Sequence, residues 1–130
     1  IWGNGEQERD FTYVSDIVDG CILASRTITD GTPINLGTGN RHTITDVVEM
    51  ICKIMDWHPS KFEFDESKPA GALSRALDNS QAKKLLGWEP KVSLEEGLKK
   101  TIDWYVKSHK SLGSVNSSLL LEHNTKVSNK

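Results

Sequence analysis

Apolar residues recur along this chain at two spacings, two residues apart in short runs and three to four apart in longer ones, and the two alternate. Phe11 to Val14 alternate and are aromatic or β-branched, which predicts a short strand. Ser15 offers an N-cap with Asp16 in the first turn, and Ile17, Val18, Cys21, Ile22 and Ser25 carry an amphipathic helix to about Arg26. After a polar turn at Asp30-Gly31, Pro33 to Leu36 reads as a second strand. Thr43 and Asp46 then form a capping box for a helix with Val47, Val48, Ile51, Ile54 and Met55 on one face. Trp57-His58-Pro59 is expected to stop that helix, because proline cannot continue the hydrogen-bond ladder.

Lys61 to Asp65 alternates as a half-buried strand, and Glu66 to Leu77 reads as a loop containing Pro69 and Gly71. Asp78 and Gln81 suggest a capping box for a short helix through Leu86, ended by the left-handed residue Gly87. Ser93 and Glu96 form a third box, and Leu94, Leu98, Thr101, Ile102 and Tyr105 take the last helix to about Ser108. Beyond that, Ser, Asn and Lys dominate and periodicity is lost, so residues 1–108 are expected to form one domain and 109–130 a disordered tail. No internal repeat is visible, and Asn116-Ser117-Ser118 reads as a chance sequon.

Composition narrows the chemistry. The chain has 130 residues, enough for one ordinary domain. A formal net charge of -2 gives no reason to expect nucleic acid or a membrane as partner, and no run reaches membrane-spanning length. Two widely separated cysteines, Cys21 and Cys52, fall on apolar helix faces and read as buried thiols of a cytoplasmic protein rather than a disulfide or metal pair. No histidine pair has metal spacing, no Ser-His-Asp order is supported, and neither Tyr13 nor Tyr105 has a lysine four residues on. No catalytic, cofactor-binding or metal-ligating residue is therefore assigned.

Two stretches remain as binding candidates. Gly37-Thr38-Gly39-Asn40-Arg41-His42 has the first two glycines of a dinucleotide loop, but His42 stands where a small residue is needed, so a plain strand-to-helix turn is the better reading. Arg9 follows Gly3 and Gly5, where a guanidinium could clamp a phosphate or simply pair with Glu8 or Asp10 in solvent. Lys68 and Arg75 give the long loop two cations that could converge with Arg9 on a diphosphate. Trp2 reads either as a base-stacking platform or as a core residue.

The opening Trp2-Gly3-Asn4-Gly5 through Arg9-Asp10-Phe11-Thr12-Tyr13-Val14-Ser15-Asp16 resembles the extended short-chain dehydrogenases/reductases that modify nucleotide sugars. So do Ile34 to Gly39, Leu77 to Pro90, and Ser93 to Leu98 ahead of Trp104-Tyr105. The likeness is to the C-terminal part of those enzymes. It implies an α/β fold, the substrate-binding lobe of a doubly wound Rossmann-type enzyme, with mixed helices and short strands. The NAD(P) loop and catalytic Tyr-x-x-x-Lys of the parent enzyme, a homodimer, are absent from these residues. The family's NAD or NADP would thus be bound by the missing Rossmann half, and the chain alone would be inactive.

By position, the resemblance carries substrate binding over to Arg9 for the diphosphate, Trp2 for the pocket wall, Lys68 near the phosphates and Arg75 in the same loop. The partner implied is a UDP-, GDP- or dTDP-linked sugar. The family's epimerases have an acidic residue near Gly71 that this sequence lacks, which tilts the reading toward GDP-fucose synthase-like enzymes. A different class of function, a non-catalytic binding module or inactive gene fragment, stays open beside it.

Overall fold

The structure, a computed structural model, describes residues 1–111. Three two-residue strands form its sheet in the order β2-β1-β3: β1 is Glu8–Arg9, β2 is His42–Thr43 and β3 is Ser74–Arg75. β1 pairs antiparallel with β2 (Arg9 opposite His42) and parallel with β3 (Arg9 beside Arg75). A single bridge joins Trp2 to Asp65 alongside it.

Helix α1 runs Val14–Thr27, α2 Ile44–Ile54 and α3 Leu94–Ser111, with a π-helical turn at Ala82–Leu86. Residues Ile1–Leu98 form one compact unit, and a second begins at Lys99. In the second, the Tyr105 and His109 rings lie 3.8 Å apart, one helical turn along α3. No described helix is long and apolar enough to cross a membrane.

Local signals succeed where a side chain can satisfy the backbone by itself. The Thr43 hydroxyl accepts from the Asp46 amide and the Asp46 carboxylate from the Thr43 amide, both at 3.0 Å, which is the expected capping box. Ser93 likewise accepts from the Glu96 amide at 3.2 Å, and Gly87 ends the π turn at φ 63°. The other end of α2 does not depend on Pro59. Asp56 takes φ 51°, while Trp57 donates to the Cys52 carbonyl (2.9 Å) and Asp56 to that of Lys53 (3.3 Å), a Schellman stop complete before the proline.

Expectations that needed a partner fare less well. Phe11 to Tyr13 is a connection rather than a strand, because pairing is made earlier, at Glu8–Arg9, where β2 and β3 lie alongside. Tyr13 rather than Ser15 is the N-cap of α1, and no side chain caps it. Pro33 to Leu36 is not paired as a strand. It and the following Gly37 are held instead by side chains, Asn35 donating to the Asp78 carbonyl at 3.3 Å and Asn79 to that of Gly37 at 3.1 Å. Lys61 to Asp65 lies against the first residues, Ile1 donating to the Glu63 carbonyl (2.7 Å), Asp65 to that of Ile1 (2.8 Å) and Gly3 to that of Asp65 (2.9 Å), but it forms only the Asp65 bridge, whereas the expected loop 66–77 contains β3. Asp78 caps no helix through Gln81; its carboxylate accepts the Ser80 amide at 2.9 Å in a local turn. α3 extends to Ser111, and the rest of the expected tail lies outside the described residues.

The buried apolar residues of the described chain are Val47, Cys52, Ala82 and Trp88. Asp16 is buried with them. Its Oδ2 accepts the Lys91 and Val92 amides at 3.0 and 2.9 Å, and its carbonyl takes the Trp88 indole N–H at 3.0 Å. The turn after Gly87 is thereby latched to α1. Gly20 completes the contact, since a Cβ there would come within 2.8 Å of Leu36 and 3.0 Å of the indole nitrogen. With Asp16 and Gly20 facing in, the apolar stripe of α1 faces out: Val14, Val18 and Ile22 are exposed. Cys21 is on that exposed side too, contrary to the buried thiol expected for it, while Cys52 is buried.

Candidate functional site

Arg9 is the last residue of the central strand, so its neighbours are fixed by strand register. Parallel pairing sets Arg75 beside it, and residues paired across a ladder project to the same face. Arg9, Asp10, Arg75, Ala76 and Leu77 line one open pocket of about 450 Å³. Two of the four sequence candidates are thus brought together. Trp2 and Lys68 are not in its lining. Trp2, 61% exposed, is bridged to Asp65, and the Lys68 amide donates to the Asp65 carbonyl at 3.2 Å, so both attach to a turn that precedes Arg75 in the chain.

Arg9 is not the solvated partner of Glu8 or Asp10. Its Nη1 donates to the Glu8 and Ala72 carbonyls at 2.7 and 2.8 Å, and its Nη2 to that of Ala70 at 2.9 Å. It fastens the 70–72 segment to β1, where Gly71 takes φ 73°, a left-handed conformation that favours glycine. Three of the five guanidinium N–H groups are engaged, leaving two that make no hydrogen bond among the described residues. The Glu8 carboxylate instead accepts from the Ser74 hydroxyl at 2.7 Å across the β1–β3 pair.

Asp10, which sequence reasoning left aside, is the most heavily bonded side chain of the site. One oxygen accepts the Thr38 amide (3.1 Å) and hydroxyl (2.5 Å), and the other the Gly39 and Leu77 amides at 2.9 and 3.3 Å. Burial opposes its ionisation, but these hydrogen bonds together outweigh it and hold the carboxyl below its ordinary value. The same contacts decide the glycine loop. A dinucleotide would need the free amides of Thr38 and Gly39, and both are committed to Asp10, while the start of α2 is capped by Thr43 and Asp46. These residues do not fit a dinucleotide. No cluster of three or more His, Cys, Asp or Glu suited to a metal ion occurs among the described residues.

Comparison with known proteins gives the pocket its context. The family model described as GDP-mannose 4,6 dehydratase matches residues 1–101. GDP-L-fucose synthase 1 of Arabidopsis thaliana is 34% identical over 108 residues, covering 83% of this chain and 33% of the relative. Among solved structures, the UDP-glucose 4-epimerase of Thermotoga maritima with UDP-glucose superposes with a TM-score of 0.74 at 38% identity, covering 83% of this chain and 34% of that one. The UDP-glucuronic acid 4-epimerase of Bacillus cereus, in complex with UDP-glucuronic acid and NAD, gives 0.74 at 35% identity, over 82% and 34%. The chain therefore spans about a third of the length of these relatives. The expected kinship with extended, Rossmann-type short-chain enzymes holds, and it is a kinship with part of them.

Proposed function

The chain belongs to the GDP-mannose 4,6 dehydratase family, and on that premise we propose that it is the nucleotide-sugar-binding portion of an NAD(P)-dependent epimerase, dehydratase or reductase. The observation that carries this reading is the pairing of Arg9 with Arg75 on adjacent strands, both lining one pocket. Two guanidinium groups side by side suit a diphosphate, each able to offer paired donors to non-bridging oxygens. Trp2 and Lys68, both joined to the neighbouring turn at Asp65, extend the binding surface toward the sugar and the outer phosphate. Cofactor and proton transfer fall to a Rossmann half carrying the Tyr-x-x-x-Lys, against which the exposed α1 stripe packs. The two free thiols, Cys21 and Cys52, suit a reduced cytoplasmic setting.

Calorimetry with UDP-, GDP- and dTDP-sugars tests the reading, and it also decides the nucleotide, since the relatives include both GDP- and UDP-sugar enzymes by name. Arg75→Ala is the cleaner variant, because Arg9 also holds the 70–72 segment. A charge-assisted phosphate contact contributes about 1.5–3 kcal/mol, so affinity should fall about 10- to 150-fold. No binding by the wild-type chain would favour an inert fragment instead.

A further inference from the structure

We infer that Asp10 is the positioning residue of this pocket, setting the separation of the Arg9 and Arg75 guanidinium groups without neutralising either. The inference rests on the nucleotide-binding reading given above. β1 and β3 are two residues each, so their ladder fixes little by itself, and a slip of one residue would turn Arg75 to the other face. Asp10 directly follows Arg9, and it accepts the amide of Leu77, two residues after Arg75. Its other acceptor bonds reach Thr38 and Gly39 on the loop leading to β2. A single carboxylate therefore joins the exit of β1 to the exit of β3 and to the approach of β2.

A carboxylate in the lining of an anion pocket is costly unless its charge is already satisfied. Here four N–H and O–H donors satisfy it, two on each oxygen. Ion pairs among the described side chains join His58 to Asp56, Lys61 to Glu63 and Lys83 to Glu89, so Asp10 ties up neither arginine. Gly37 supports the arrangement, since a Cβ there would lie 2.8 Å from the Asp10 oxygen and 2.7 Å from the Leu77 Cβ. Asparagine cannot replace the aspartate. It keeps one oxygen and turns an NH2 toward two N–H or O–H donors.

The test is a double-mutant cycle on the full chain, with UDP and GDP as calorimetric probes of wild type, Asp10→Asn, Arg75→Ala and the double variant. Asp10→Asn should weaken binding about tenfold, but less than about twofold once Arg75 is gone, because position no longer matters. Equal weakening on both backgrounds means general destabilisation and overturns the inference, as does an unchanged Kd. Failure of the wild type to bind either probe sinks the functional reading alone. Positioning is then decided in the free protein by the Arg75 Nε resonance and by amide exchange at Gly39 and Leu77. Asp10→Asn should move the first and speed the second, and no change in either overturns it. Should Asp10→Asn fail to fold, Thr38→Val removes one of the four bonds, and a Kd unchanged from wild type overturns the inference in its place.

Discussion

Replacing Asp16 separates two ways of reading a buried carboxylate. Only 4% exposed, it receives the Lys91 and Val92 amides on the same oxygen, Oδ2. Asp16→Ala removes that acceptor and strands two part-buried amides. Hydrogen bonds to a charged group contribute about 1.5–3 kcal/mol each, and water reaching the vacated site recovers some of the loss, so the cost should be about 2–4 kcal/mol. Asparagine can put its one carbonyl oxygen where Oδ2 stands and keep both bonds in neutral form, so Asp16→Asn should cost about 1 kcal/mol. Urea unfolding, followed by helical circular dichroism and by tryptophan emission, measures both, and the alanine variant should melt roughly 10–20 °C lower. If alanine costs under about 0.5 kcal/mol, or asparagine as much as alanine, the latch is not what joins the 88–92 segment to α1.

Three shorter predictions follow from other parts of the fold. Gly5 sits at φ 78°, and an added Cβ would run into the Thr45 hydroxyl and lie 2.7 Å from the Phe64 ring, so Gly5→Ala should cost about 1–3 kcal/mol in the same unfolding assay. Val14, Val18 and Ile22 form the exposed stripe of α1, through which the wild-type chain should associate as its concentration rises; changing all three to Gln should abolish that association in sedimentation velocity and leave the unfolding midpoint within a few degrees. Because the folded-state pKa of Asp10 is depressed, its stabilisation is complete above the unfolded value near 4 and is lost as pH falls through the lower folded value. An acid titration of stability should therefore show a shallower fall below about pH 4 in Asp10→Asn than in wild type.

What could be read from the sequence divides along a physical line. The Thr43–Asp46 box, the Gly87 stop and the Ser93 cap were legible because each is a bond between residues at most five apart. The strands were not, because a two-residue strand exists only through its partner, and neither Glu8–Arg9 nor Ser74–Arg75 has an apolar alternation to announce it. Arg9 was legible as a candidate from its glycine-rich approach, but its grip on the Ala70 and Ala72 carbonyls depends on residues more than sixty positions away. Asp10 was visible only as part of the Arg9-Asp10-Phe11 motif, and its role was not, since its partners lie 28 to 67 positions away. The helix period of α1 was legible, and the buried thiol expected at Cys21 was not met: the spacing that marks Val18, Cys21 and Ile22 as one face cannot by itself say whether that face looks inward.

That inversion of α1 bears on the stability of the whole chain. In a free-standing domain the apolar stripe of an amphipathic helix faces the core, and the polar side faces water. Here the inward side carries a carboxylate and a glycine, Asp16 and Gly20, and the adhesion comes from three hydrogen bonds to Trp88, Lys91 and Val92 with the indole packed over Gly20. The latch fixes direction as well as contributing energy, and covering the exposed half of Val14, Val18 and Ile22 would add about 1 kcal/mol each. The latch therefore sets the orientation of α1, and a comparable further stabilisation is left for whatever covers the stripe. A Rossmann half added in trans should raise the unfolding midpoint of the wild type but not of the triple Gln variant. An equal rise in both would place the docking surface elsewhere.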